Sequence, residues 1–180
     1  MLFSNLQSHS IQITGGSFFS HIDCSDQNCP TEVFEAEIIE CQRLAAEKGI
    51  TLKSFVHPGH QIGNLDSLKN LGFTSFRTDY GNNLALPKKH LSGLWELKNS
   101  AGLAFRRDWS VQYHIKRYKT IIDRAINQRR ICVFWFHPTM SLQFVKEVLP
   151  EILSYLDKKR DKILSMTHEK YVDYLNRENK

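Results

Sequence analysis

The stretch from Ser54 to Arg77, SFVHPGHQIGNLDSLKNLGFTSFR, constrains the fold more than any other part of the chain. Leu52, Phe55 and Val56 form a short apolar run, the pattern of a buried strand. The run meets His57-Pro58-Gly59-His60, where a proline that cannot donate to a sheet ladder ends the strand. Asn64 suits a helix N-cap, and Leu65, Leu68 and Leu71 follow at helical spacing. Gly72 occupies the position of a left-handed C-cap, and Phe73 to Phe76 opens a second strand. A strand, helix and strand packed this closely make a parallel β-α-β unit. His57 and His60 then fall in a loop at the carboxyl end of a strand, where α/β folds concentrate their chemistry.

The rest of the chain alternates in the same way. Ile11 to Ile13 reads as a short strand. Val33, Phe34, Ile38, Cys41, Leu44 and Ala45 mark one face of a helix that starts near Thr31 and ends at Gly49. Thr78 to Trp95 reads as a long loop, and Trp95 to Trp109 fits no single pattern. Val111 to Gln128 is helical by its spacing of Tyr113, Ile115, Tyr118, Ile121, Ile122 and Ala125. Ile131 to Phe136 is apolar on both faces, the look of a central parallel strand, and it stops at His137-Pro138. Ser141 to Lys162 is a long amphipathic helix that Pro150 bends or divides, and Glu169 to Asn176 is a terminal helix. The class expected is α/β, in a single domain over residues 1–180.

Composition narrows the partners. The chain has 180 residues, a formal charge of +5 and a sequence pI near 9.0, less basic than a dedicated nucleic-acid binder. The four cysteines show no paired metal-binding spacing and read as free thiols of a reducing compartment, with a Cys24–Cys29 disulfide as the alternative in an exported protein. No charged leader and no run of ~20 apolar residues is present, so the expectation is a protein of the cytoplasm without a membrane span.

Three histidine positions share one context, an apolar segment that breaks at His21, at His57 and His60, and at His137. At the rim of a parallel barrel such imidazoles gather, bind zinc or a similar metal and activate water. The alternative is that each is a loop residue with ordinary hydrogen bonds. His9, His90, His114 and His168 read as structural. Residues 106–130 collect Arg106, Arg107, Lys116, Arg117, Lys119, Arg124, Arg129 and Arg130 around Tyr113 and Tyr118. They make either a surface for an anionic polymer or the solvated face of a helix, with nucleic acid ranked behind carbohydrate as a ligand.

These segments resemble the polysaccharide deacetylase family (NodB-type, carbohydrate esterase family four). SFFSHIDC is similar to the end of that family's metal motif, SFVHPGHQIGNLDSLKNLGFTSFR to its third-motif region, and ICVFWFHP to its last motif. The resemblance implies a distorted (β/α) barrel of the glycoside hydrolase/deacetylase type, lacking its first strand unit. It implies a metal-dependent hydrolase acting on the non-peptide amide of an N-acetylated carbohydrate. Zinc would be held by His21, with His57 or His60 as replacement ligands. His137 would be the general acid, and Pro58 and Trp135 would contact the sugar. The chain departs from the pattern in three respects: no aspartate precedes Asp23 to match the expected aspartate ligand and base, Gly16 or Ser17 stands where the metal motif has its first histidine, and Gly59 stands where an arginine is expected after Pro58. A non-catalytic member that keeps a carbohydrate- or protein-binding cleft is the alternative. An unpaired barrel edge would favour self-association.

Overall fold

The computed structural model describes residues 24–78, 84–136 and 141–178. The expected strand at Ile11 to Ile13 and the histidines His21 and His137 lie outside them. The elements, in chain order, are α1 (Thr31–Ala46), β1 (Ser54–Val56), a 3-10 turn (Pro58–His60), α2 (Leu65–Asn70), β2 (Ser75–Thr78), β3 (Lys88–Lys89), β4 (Trp95–Lys98), β5 (Ala101–Gly102), α3 (Val111–Gln128), β6 (Phe134–Trp135), a π-turn (Phe144–Val148), α4 (Leu149–Asp157) and α5 (His168–Glu178). They fall into two compact units. The first takes its described residues from 84–86 and 98–165. The second takes them from 24–78, 87–97 and 166–178.

The second unit contains the expected β-α-β unit. β1 and β2 pair in parallel, with Phe55 opposite Phe76 and Val56 opposite Arg77. The sheet continues to β4 and β3 in the order β1-β2-β4-β3, with β3 and β4 antiparallel. Phe55 is fully buried, and the rings of Phe34 and Phe73 meet it edge-on at 5.8 and 5.7 Å. Such pairs add about 0.5–1.5 kcal/mol each to the burial of their area. Phe34, Ile38, Leu52, Leu68, Phe73, Phe76 and Leu94 complete this core. Gly72 takes a left-handed φ of 87° just past α2, as its position predicts.

Asn64 precedes α2 as expected but does not cap it with its side chain. Its φ of 50° and ψ of 35° are left-handed, and its amide points elsewhere. Nδ2 donates to the carbonyls of Cys24 and Cys29 at 3.2 and 3.3 Å, and Oδ1 accepts from Thr31 Oγ1 at 3.2 Å. The backbone N–H of Asn64 donates to the Asp26 carboxylate. Asn64 thus pins the 24–29 loop and the start of α1 to the start of α2.

The first unit is built on α3, which begins where Ser110 Oγ accepts from Tyr113 N and ends at Arg129 in the left-handed region. Its apolar face packs Ile115, Tyr118 and Ile122 against Phe144, Val148, Leu149 and Ile152. Pro150 does not break the following helix, which runs over 142–157 and ends short of the expected Lys162, but is accommodated by a local change in winding. It has no N–H and its ring crowds the preceding turn, so the chain first opens into a π-turn in which Leu149 N–H reaches back to Phe144 O.

Ile131 to Phe136 is less strand than its sequence suggests. Only Phe134 and Trp135 pair as β6, in parallel with β5, and both are half-buried. The segment is covered by side chains of α3 and its partners rather than by strands on both sides. Phe134, for example, meets the Tyr118 ring edge-on at 6.0 Å. The chain is therefore mixed α/β, as expected, but among the described residues its strands form a four-stranded and a two-stranded sheet and no closed barrel.

Candidate functional site

His57 follows β1 directly and is 2% exposed. Its Nε2 lies 2.9 Å from Gly63 O, and since a carbonyl only accepts, Nε2 carries the proton. The ring meets Phe55 edge-on at 4.9 Å and Phe76 at 6.1 Å. Burial holds its pKa below the ordinary histidine value, against smaller upward pulls from the Gly63 carbonyl and Asp26. His57 is a neutral imidazole inside an aromatic core. Pro58, also buried, opens the 3-10 turn, and His60 closes it half-buried at a φ of 60°. Among the described residues no three of His, Cys, Asp and Glu gather where they would hold a metal ion. Trp135 lies on β6 with its ring against Gly102, where an added Cβ would come within 3.1 Å of it.

The histidines read as structural behave so where they are described. His114 is fully buried beneath the 105–109 loop, stacked on Phe105 at 4.8 Å, with Nε2 against the Arg106 backbone. His90 Nδ1 accepts from Ser92 N, and His168 Nδ1 lies 3.2 Å from Ser54 Oγ. Burial and the nearby Arg77 charge lower the His168 pKa to about 4. Burial pushes the Cys132 thiol up to about 12, so it is no nucleophile at neutral pH.

A concave feature that collects polar groups lies in the first unit, along α3. Leu84, Ser100 and Ile121 join Tyr113, Lys116, Arg117, Thr120, Arg124 and Gln128 around an open groove of about 670 Å³. The helix explains the array. Lys116, Thr120 and Arg124 recur every four residues and share one stripe, with Tyr113 and Arg117 beside it. Lys116 and Arg124 stand about 12 Å apart along the axis. The lining carries three cations and no carboxylate. Two nearby acids are engaged outside the lining, Glu151 with Lys119 at 3.3 Å and Asp123 with Lys159 at 3.5 Å. Arg117 is oriented by aromatic faces, its guanidinium lying 5.5 Å over Trp109 and 5.2 Å over Tyr118. Tyr113 leaves half its surface exposed.

The basic character of this stretch is evident in the sequence, but the groove is not. Leu84 and Ser100 are distant along the chain, and no local pattern announces that they wall the helix face. Trp109, by contrast, lies under two arginines, Arg106 at 4.6 Å and Arg117, as a support rather than as an exposed stacking platform.

No family model matches the chain, and no curated protein matches it. Among solved structures it is similar to 4-alpha-glucanotransferase from Thermococcus litoralis, with 16% identity and a TM-score of 0.64. The likeness covers 96% of this chain and 28% of that enzyme, so the chain spans little more than a quarter of its length. At this identity the likeness shows fold alone, a mixed α/β arrangement. Membership of the polysaccharide deacetylase family is thereby corrected. The described segments that suggested it, residues 54–77 and 131–136, consist of short strands, a proline and a short helix, which any β-α-β fold supplies. No helix among the described residues is long and apolar enough to cross a membrane.

Proposed function

We propose that the chain is a non-catalytic carbohydrate-binding domain, and that the groove along α3 is its ligand site. The observation that carries this reading is the groove lining. A half-exposed tyrosine ring stands with hydroxyl, amide and guanidinium groups and the apolar side chains of Leu84 and Ile121 in one lining. An amphipathic ring with convergent polar donors suits a sugar, which presents apolar C–H faces edged with hydroxyls. The same lining argues for binding rather than cleavage. Glycoside hydrolysis uses two carboxyl groups flanking the bond, and the groove lining contains none. Likeness to a glucan-acting enzyme adds support at the level of fold. We read the parallel β1-α2-β2 unit as a segment of the (β/α) barrel plan.

Affinity electrophoresis and titration calorimetry against neutral and acidic oligosaccharides test the proposal. Saturable binding without release of reducing ends is expected. Tyr113→Ala should weaken it, while Tyr174→Ala, an exposed ring on α5, should not. Failure of every glycan to bind, or equal effects of the two substitutions, would overturn it.

A further inference from the structure

We infer that the carbohydrate held in the α3 groove is acidic, an oligosaccharide carrying carboxylates or sulfates on successive residues; this rests on the carbohydrate-binding reading. Three cations line the groove with no carboxylate among them, although acids are close by in sequence. Asp123, one residue before Arg124, turns away and accepts from Tyr155 Oη at 2.7 and 2.8 Å while pairing with Lys159. Glu151 is taken by Lys119. The carboxylates nearest the groove in sequence are therefore engaged by Tyr155, Lys159 and Lys119 outside its lining, and the charges that line it are all positive. Lys116 and Arg124 stand about 12 Å apart along the helix axis, too far apart to serve one small anion together. The spacing suits charges repeated along a chain.

Between the two cations at the ends of the stripe lies Arg117, whose planar fork matches a carboxylate or sulfate and whose orientation is fixed by Trp109 and Tyr118. Thr120 and Gln128 supply neutral partners for hydroxyls. A single-stranded nucleic acid would call for several aromatic platforms on which successive bases stack, and the lining offers one ring, Tyr113. Shape and charge together favour an acidic sugar over RNA.

The test uses the full chain with four probes: hexagalacturonate, a heparin hexasaccharide, maltohexaose and poly(U). Either acidic probe should bind, more weakly at 500 mM than at 20 mM salt, with maltohexaose at least tenfold weaker. Lys116→Gln and Arg124→Gln are both on exposed positions of α3 and should keep the fold. Each should weaken acidic-probe binding about threefold to fivefold, as expected for an exposed ion pair. Lys170→Gln on α5 should leave it unchanged. If maltohexaose binds as well as the acidic probes and the α3 substitutions have no effect, this inference fails while carbohydrate binding stands. If no oligosaccharide binds, or poly(U) is preferred, both fail.

Discussion

Replacing Asn64 should separate two contributions that meet at one residue. Its side chain makes three hydrogen bonds, to Cys24 O, Cys29 O and Thr31 Oγ1, and its backbone is left-handed at a φ of 50°. The residue is buried. Asn64→Gly keeps the backbone conformation and deletes the three bonds. At about 0.5–1.5 kcal/mol each, and with all three longer than 3.1 Å, the loss comes to about 2 kcal/mol. Asn64→Ala adds the left-handed penalty of a Cβ, about 1–2 kcal/mol, partly offset by the lower freedom of alanine in the unfolded chain. The alanine variant should therefore be the worse by about 1 kcal/mol. Asn64→Asp tolerates the backbone but turns an oxygen towards two carbonyls, and should cost at least as much as alanine. Urea titration followed by circular dichroism reads these differences, provided the slope is unchanged. In a chain of this size each kcal/mol lowers the melting temperature by about 2–4 °C. An alanine variant as stable as the glycine variant would refute the backbone argument. All three variants within about 0.5 kcal/mol of wild type would refute the role of Asn64 as a pin.

Three further outcomes follow from the same kind of reasoning. Gly63→Ala should destabilise by about 3 kcal/mol or more by thermal melt, because its Cβ would lie 2.6 Å from Ser25 Cα, 2.8 Å from Cys24 O and closer still to Asp26 N, all backbone atoms; a melt within 2 °C of wild type would contradict the packing. Tyr118→Phe should cost about 1–3 kcal/mol in urea, since the buried hydroxyl donates to Gly102 O at 2.9 Å and accepts from Ala104 N at 3.2 Å; an unchanged midpoint would show that these groups find other partners. Stability should fall as pH drops below about 6.5, where unfolded imidazoles take up protons that His57 and His168 refuse in the folded state. For His168 the fall continues to about pH 4. It amounts to at most about 3 kcal/mol, because the half-buried ring keeps some contact with water. His168→Gln should flatten the pH dependence in that window, and an equally steep slope in the variant would exclude His168 as its source.

Elements whose partners are local could be read in the sequence. α3 runs over Val111–Gln128, the span its apolar spacing marks out, because one face packs while the other stays in water. The β1-α2-β2 unit was legible for the same reason, down to the left-handed Gly72. The hairpin of β3 and β4 was not. Lys88 and Lys89 have no strand pattern of their own, and they pair only because Glu96 and Trp95 stand opposite. Hydrophobicity overstated β6, since an apolar run declares burial but not what does the burying. Asn64 was assigned to the correct position with the wrong partners, because its amide reaches 40 and 35 residues back along the chain. The α3 cations were visible as a cluster, yet the walls that make them a groove come from Leu84 and Ser100, which no spacing rule connects to the helix.

The way α5 rejoins the second unit has a kinetic consequence. His168 reaches Ser54 across 114 residues, and Asn176 accepts from Trp95 Nε1 across 81. A ribosome adding about 5–20 residues per second completes β1 roughly 6–22 s before it delivers His168. During that interval both strands of the parallel pair have been made but their last helix has not, while the described residues of the first unit, drawn mainly from one continuous stretch, are already complete. The earlier-made strands therefore wait on the last-made helix, and a cut that removes α5 is felt at the first strand of the sheet.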